Sequence, residues 1–430
     1  MAPDPRSGPG AAAPATTGRE HGLVVGAAVA YGICGYLVLV IAARTLSTAD
    51  NSHFLIFWGA LFTCFGTLNG IASEATRAVR AGGSGTADGS AAPGASVVRV
   101  ALLLGAALAA AVALTAPAWS RAVFGDEDAF PWSALLVTGL LLFTVHAGVV
   151  GIAAGRGRWA TYSLLLGAEP LVRLALVVAV SLTARHTWGF AAAAALAAGF
   201  WLVLAVVGRP ELGWRTRAAG LDARGLAGRM ASACAAAAAS AVLLVGFPVL
   251  VRISSSDAEV ATAAPLVLAV SLCRAPLLVP LGIYQNVVIT HVIVRGLGAL
   301  KVPAGLVGAG TVVGFAGAWL IGPWCLRLVN PEYDVSGATL ALLVLSAGLV
   351  CLLSLTGAAC LALDHHHVSV AGWLVATLAI LSVLLGPGDL TSRTVVALLA
   401  GPPLGVAVHL AGLRLAGRSV VRVSDRPTSP

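Results

Sequence analysis

In a chain of 430 residues, 58% hydrophobic and only 10% charged side chains are too little polar surface for a soluble domain, and the mean hydropathy of +0.93 places it among integral membrane proteins. A net charge of +8 would suit nucleic acid, but the charge follows membrane topology and argues against that partner.

Residues 1–21, rich in Pro, Ala, Gly and Thr, read as a disordered cytoplasmic tail rather than a signal peptide, because no basic stretch leads into a short apolar core with a cleavage site. Twelve apolar runs follow, each about 20 residues or more, the length that crosses about 30 Å of hydrocarbon as a helix. They lie near 23–43, 53–76, 98–118, 133–154, 161–183, 187–207, 230–251, 262–290, 302–324, 337–363, 368–387 and 394–413. The runs are continuous, not alternating, so the expected class is an all-α polytopic bundle rather than a β-barrel. The stretch 81–96, AGGSGTADGSAAPGAS, is expected to be a flexible loop. The longest charged connection, 208–229, divides the spans six and six. The expected organisation is therefore an N-terminal lobe at 22–207, a cytoplasmic linker at 208–229, a C-terminal lobe at 230–415 and a cytoplasmic tail at 416–430. Two six-helix lobes suggest a central cavity between internal repeats.

Assigning loops alternately to the two sides puts eighteen Arg and Lys residues on one side, among them Arg77, Arg80, Arg156, Arg229, Arg295 and Lys301, against six on the other. The positive-inside rule then predicts a multi-pass protein of the cell (plasma) membrane with both termini cytoplasmic. Seven cysteines without CxxC spacing, all in apolar runs, read as small packing residues. Pro276 and Pro280, with Pro265 nearby, predict that span eight is bent and mobile.

Four charges sit inside the spans: Glu74, Glu169, Arg173 and Arg274. Each costs about 2.5–3.5 kcal/mol at a helix centre on insertion scales, so such groups face a bundle interior or wet cavity and mark transport routes. Glu169 and Arg173 share one face of span five, where they form either a self-neutralising pair or a phosphate-attracting Arg held by its acid; a guanidinium fork donates to two phosphate oxygens at once. Glu74 can pair locally with Arg77 or act as a proton carrier. Arg274 has no partner within a turn of its own helix, and Glu74 or Glu169 is its expected counterion. His146, in span four, is either a packing imidazole or an ion-coupling group. Asn69, Gln285 and Asn286 can contact hydroxyl-rich cargo or join helices. The Asp364–His367 run reads as a solvated loop, and no cofactor, metal site or catalytic residue is expected. Motifs for nucleotide phosphates or hydrolytic nucleophiles are lacking, which argues against an enzyme and against direct use of ATP.

Residues 44–80, RTLSTADNSHFLIFWGALFTCFGTLNGIASEATRAVR, resemble the first loop and second span of bacterial polysaccharide flippases, and 155–177, GRGRWATYSLLLGAEPLVRLALV, their fourth-to-fifth span turn. These belong to the multidrug/oligosaccharidyl-lipid/polysaccharide (MOP) exporter superfamily. The resemblance implies two six-helix lobes, alternating access, and movement of a polyprenyl-pyrophosphate-linked saccharide from the inner to the outer leaflet. It matches Glu74, Arg77, Glu169 and Arg173 to polar family motifs. It also points to membrane lipids, a coupling proton or sodium ion, and cell-envelope glycosyltransferases or a polymerase as partners. A drug or metabolite exporter of the same superfamily is the alternative, with an integral-membrane glycosyltransferase or ligase and an inert scaffold as further classes.

Overall fold

The computed structural model describes residues 18–83, 94–125, 129–183, 185–208, 212–218 and 220–424, without the side chains of 21, 82–83, 283–286 and 416–424. Its helices are α1 (Gly18–Thr45), α2 (Thr48–Gly83), α3 (Val97–Phe124), α4 (Ala129–Gly155), α5 (Trp159–Thr183), α6 (Thr187–Leu196), α7 (Phe200–Val206), α8 (Ala223–Leu244), α9 (Phe247–Ile253), α10 (Asp257–Ala261), α11 (Ala264–Arg295), α12 (Lys301–Val329), α13 (Gly337–Ala362), α14 (His366–Leu384) and α15 (Leu390–Ser424). They supply twelve helical spans long and apolar enough to cross a membrane, as expected.

Burial repeats between the halves. The fourth and tenth spans, α4 and α13, are the most enclosed, with most of their apolar residues buried. A Gly–Thr contact recurs beside each. Gly105 of α3 faces Thr144 of α4, and Thr311 of α12 faces Gly348 of α13; a Cβ on either glycine would lie 2.2 Å from a threonine atom. This contact thus recurs once in each set of six spans.

The halves meet along α2 and α8. Gly66 and Gly70 face Ala241 and Cys234, and a Cβ at Gly70 would fall 2.4 Å from the Cys234 amide nitrogen, so these glycines allow backbone-to-backbone approach. Gly310 and Gly314 meet only side chains, of Leu277 and Val344. At the end carrying the α1–α2 turn, polar groups latch the halves together. Arg44 donates to the Leu328 and Val329 carbonyls, Asn330 to the Ala43 carbonyl at 2.6 Å, and Asn51 to the Tyr333 hydroxyl at 2.7 Å.

Several expectations need correction at the connections. The 81–96 stretch is structured at both ends: α2 reaches Gly83, and β1 (Ala95–Ser96) pairs antiparallel with β2 (Arg217–Ala218), while 84–93 lie outside the described residues. The linker is likewise tied down by β2, and α8 starts at Ala223, ahead of 230, because the Asp222 carboxylate caps it by accepting from the Gly225 amide. α15 continues past 415 to Ser424, beyond which 425–430 lie outside the described residues. Helical interruptions fall in spans six and seven. α6 passes through a 3₁₀ stretch, Ala197–Gly199, into α7, and α8 stops two residues before α9, where Pro248 occupies the first turn. α11 runs as helix through Pro276 and Pro280.

Candidate functional site

The buried charge on α5 lies against the aromatic face of α2. Glu169 and Arg173 stand four residues apart on the inward side of α5 and are 1% and 2% exposed; the Arg173 Nη2 donates to Glu169 Oε1. Arg173 Nε donates to the Ala194 carbonyl at 3.2 Å, in the last turn of α6 before its 3₁₀ stretch. The guanidinium also lies 4.9 Å from the Phe62 ring centroid and 6.0 Å from those of Trp58 and Phe65. Ring faces carry negative potential, so this cage favours a cation where water is excluded. From Phe65 the aromatic chain continues to Phe143, stacked at 4.1 Å, and to His146 at 5.4 Å from Phe143. His146 Nδ1 is buried without a hydrogen-bond partner among the described residues.

Arg274, 4% exposed on α11, does not meet the carboxylate expected of it. Its Nη1 donates to the Leu243 and Leu244 carbonyls at 3.1 and 3.2 Å, and its guanidinium lies 5.5 Å from the Phe247 ring. Chain geometry explains this choice. α8 ends at Leu244, the Val245 and Gly246 amides both turn back to the Ala241 carbonyl, and the terminal carbonyls are left at the negative end of the helix dipole. Arg274 satisfies them, while its Nε and Nη2 stay buried without a partner among the described residues.

Glu74 takes the local partner, Arg77 at 3.4 Å, and reaches Arg229 of α8 at 3.9 Å; both arginines are more than half exposed, so this acid ties α2 to α8 at the end opposite the latch. Asn69 is exposed and begins a stripe with Ser73, Arg77 and Arg80 along the last turns of α2. Asn286 and Gln285 have side chains outside the described residues. The expected residues thus form separate groups: Glu169, Arg173 and His146 around the aromatic chain, Arg274 at the α8 break, and Glu74 with Asn69 on α2.

The aromatic cage was not singled out from sequence, although Trp58, Phe62 and Phe65 recur at intervals of four and three, the signature of one helix face. A second omission is Glu259, in α10, the short helix before α11. It accepts from the Ser256 amide and pairs with Arg393, whose Nη1 also donates to the Ser254 and Leu384 carbonyls. The Ser256 amide, followed by the Ser256 hydroxyl and Arg393, holds the Glu259 carboxyl below its usual range.

The fold is that of MOP-superfamily transporters. The chain superposes on an inward-facing multidrug resistance MATE family transporter of that superfamily with a TM-score of 0.63 at 12% identity, covering 94% of this chain and 96% of the other. Against the lipid II flippase MurJ in an inward closed conformation the TM-score is 0.60 at 12% identity, covering 94% and 93%. No protein-family model matches the chain. It is 37% identical over 396 residues to the uncharacterized protein Rv3630 of Mycobacterium tuberculosis, covering 90% of each, and it belongs to the family of that protein.

Proposed function

We propose that this protein is a flippase that carries a polyprenyl-pyrophosphate-linked saccharide from the inner to the outer leaflet of the plasma membrane by alternating access of its two halves. The observation that carries this reading is Arg274: a buried guanidinium with two donors left over and no carboxylate beside it among the described residues. Glu169 pairs with Arg173 and Glu74 with two arginines, so among the described residues Arg274 is the embedded charge left without a counter-charge and makes its surroundings positive. A positive interior suits an anionic pyrophosphate and opposes the cationic cargo expected of a drug exporter. In this reading Arg274 and Arg173 receive the pyrophosphate, and Asn69 and Asn286 contact the sugar. Glu74 and His146 carry the coupling proton or sodium ion, and the eighteen-to-six charge asymmetry sets both termini in the cytoplasm.

The test is transport in proteoliposomes of a panel of fluorescent polyprenyl-pyrophosphate saccharides, scored by protection from an external quencher. Wild-type protein is expected to move at least one of them, and Arg274→Gln to slow that movement at least tenfold while remaining monodisperse. Wild-type speed in Arg274→Gln, or no movement of any member of the panel, overturns the reading.

A further inference from the structure

α11 and α12 leave between them a cleft of about 650 Å3, within the roughly 300–1,000 Å3 typical of small-ligand sites. It lies away from the Glu169–Arg173 pair, in the other half of the molecule. Its walls are Pro276, Pro280 and Leu281 on α11 and Val302, Pro303 and Leu306 on α12. Its floor belongs to the packed cluster of Val288 and Val307 with Cys351 and Leu355 of α13. Prolines on both walls shape the faces without offering backbone donors, so the interior presents hydrocarbon.

The polar groups gather at one end. His291 and Arg295 line the cleft where α11 finishes, and Lys301 stands beside Val302 at the start of α12. Arg295 and Lys301 are exposed, and among the described residues neither is paired with a carboxylate. The cleft therefore reads as an amphipathic socket: an apolar slot between α11 and α12 whose lining Val288 and Val307 pack on α13, with Arg295 at one end and Lys301 next in sequence to the lining residue Val302. α11 starts at the latched end beside Ser52 and runs to the other, so this polar end lies on the same side as the Glu74–Arg229 contact and the β1–β2 pair.

We infer that this cleft binds an anionic phospholipid of the surrounding membrane, its acyl chain in the slot between α11 and α12 and its phosphate on Arg295 and Lys301. Charge complementarity selects the occupant: a neutral chain would satisfy the walls and leave both cations unmatched, whereas a headgroup with net negative charge satisfies both parts. The position has a mechanical consequence. α11 carries Arg274, so a lipid wedged along its other half biases the helix whose guanidinium holds the end of α8.

The full-length protein in phosphatidylcholine nanodiscs, doped with phosphatidylglycerol bearing an acyl-chain diazirine, tests this by irradiation and peptide mapping. Label is expected to concentrate on cleft-facing positions between 276 and 310. It should fall at least fivefold in Arg295→Gln with Lys301→Gln, surface changes that leave the packed core intact, and at least fivefold in the slot-filling Leu281→Trp. The same diazirine on phosphatidylcholine should label the cleft at least fivefold less. Equal labelling by the two lipids, unchanged labelling of the Arg295→Gln and Lys301→Gln variant, or label confined to faces outside the cleft overturns the proposal. Displacement of the phosphatidylglycerol probe by excess polyprenyl-pyrophosphate saccharide also overturns it, by giving the cleft to cargo.

Discussion

Arg274 and Leu243, 31 residues apart in sequence, meet where span seven stops being helical: the guanidinium Nη1 donates to the Leu243 carbonyl at 3.1 Å. Arg173 does the same kind of work on span six, donating to the Ala194 carbonyl ahead of a 3₁₀ stretch. In both halves a buried arginine serves backbone oxygens that an interrupted helix leaves under-satisfied. Within a membrane such oxygens otherwise cost several kcal/mol. An arginine that stabilises a helix break is also placed where a moving helix would release it, and a phosphate oxygen is a stronger acceptor than the carbonyl it would replace.

Arg274→Met is therefore expected to lower stability even without cargo. It removes the donor from the buried Leu243 carbonyl and the half-buried Leu244 carbonyl, a loss of about 1–3 kcal/mol. Thermal unfolding in detergent, compared with Arg274→Lys, checks this; the Lys variant should fall between wild type and Met.

The Glu169–Arg173 pair should show the asymmetry of buried ions. Arg173→Met alone or Glu169→Leu alone leaves an unmatched charge and is expected to cost roughly 3–5 kcal/mol, whereas the double substitution recovers most of that loss. A double-mutant cycle in chemical denaturant measures the difference.

Gly70→Val tests the inter-half seam. Any Cβ there meets the Cys234 backbone, so α8 must move away from α2, and overpacking of this kind costs about 1–3 kcal/mol. Gly26→Ala, whose added carbon meets nothing within 4 Å, is expected to leave the melting temperature unchanged or slightly raised.

Glu259 supplies a pH dependence. Its carboxyl is held below the usual range in the folded protein, so its contribution is complete above the unfolded value and is lost as pH falls through the folded one. Wild-type melting temperature should drop more steeply than that of Glu259→Gln between about pH 5 and pH 3. Parallel profiles would remove Glu259 as the cause.

Span number and class were legible because a 20-residue apolar run has few alternatives in a bilayer, and the Glu169–Arg173 pairing followed from its four-residue spacing. Arg274 was legible as a buried charge, but its partner was not. Its acceptors are main-chain carbonyls that become available only because α8 stops at Leu244, and every residue carries a carbonyl, so composition gives no sign of them. Pro248 was the available hint, since it marks the start of a new helix two residues later. The structured ends of the 81–96 stretch escaped for a similar reason. The β1–β2 pair joins Ala95 to Ala218 across 123 residues through backbone bonds, which leave little trace in side-chain patterning.

The central claim is that the positions of the embedded cations matter for cargo, beyond their service to the fold. The most direct measurement exchanges the pair, Glu169→Arg with Arg173→Glu, which keeps a four-residue ion pair on the same face of α5 while moving its positive charge by one turn away from the Phe62 ring. The account predicts a folded, monodisperse protein, lower in melting temperature because the Ala194 carbonyl loses its donor and the rings lose their cation, that no longer moves fluorescent polyprenyl-pyrophosphate saccharide across proteoliposome membranes. Transport by the exchanged variant at the wild-type rate would contradict it.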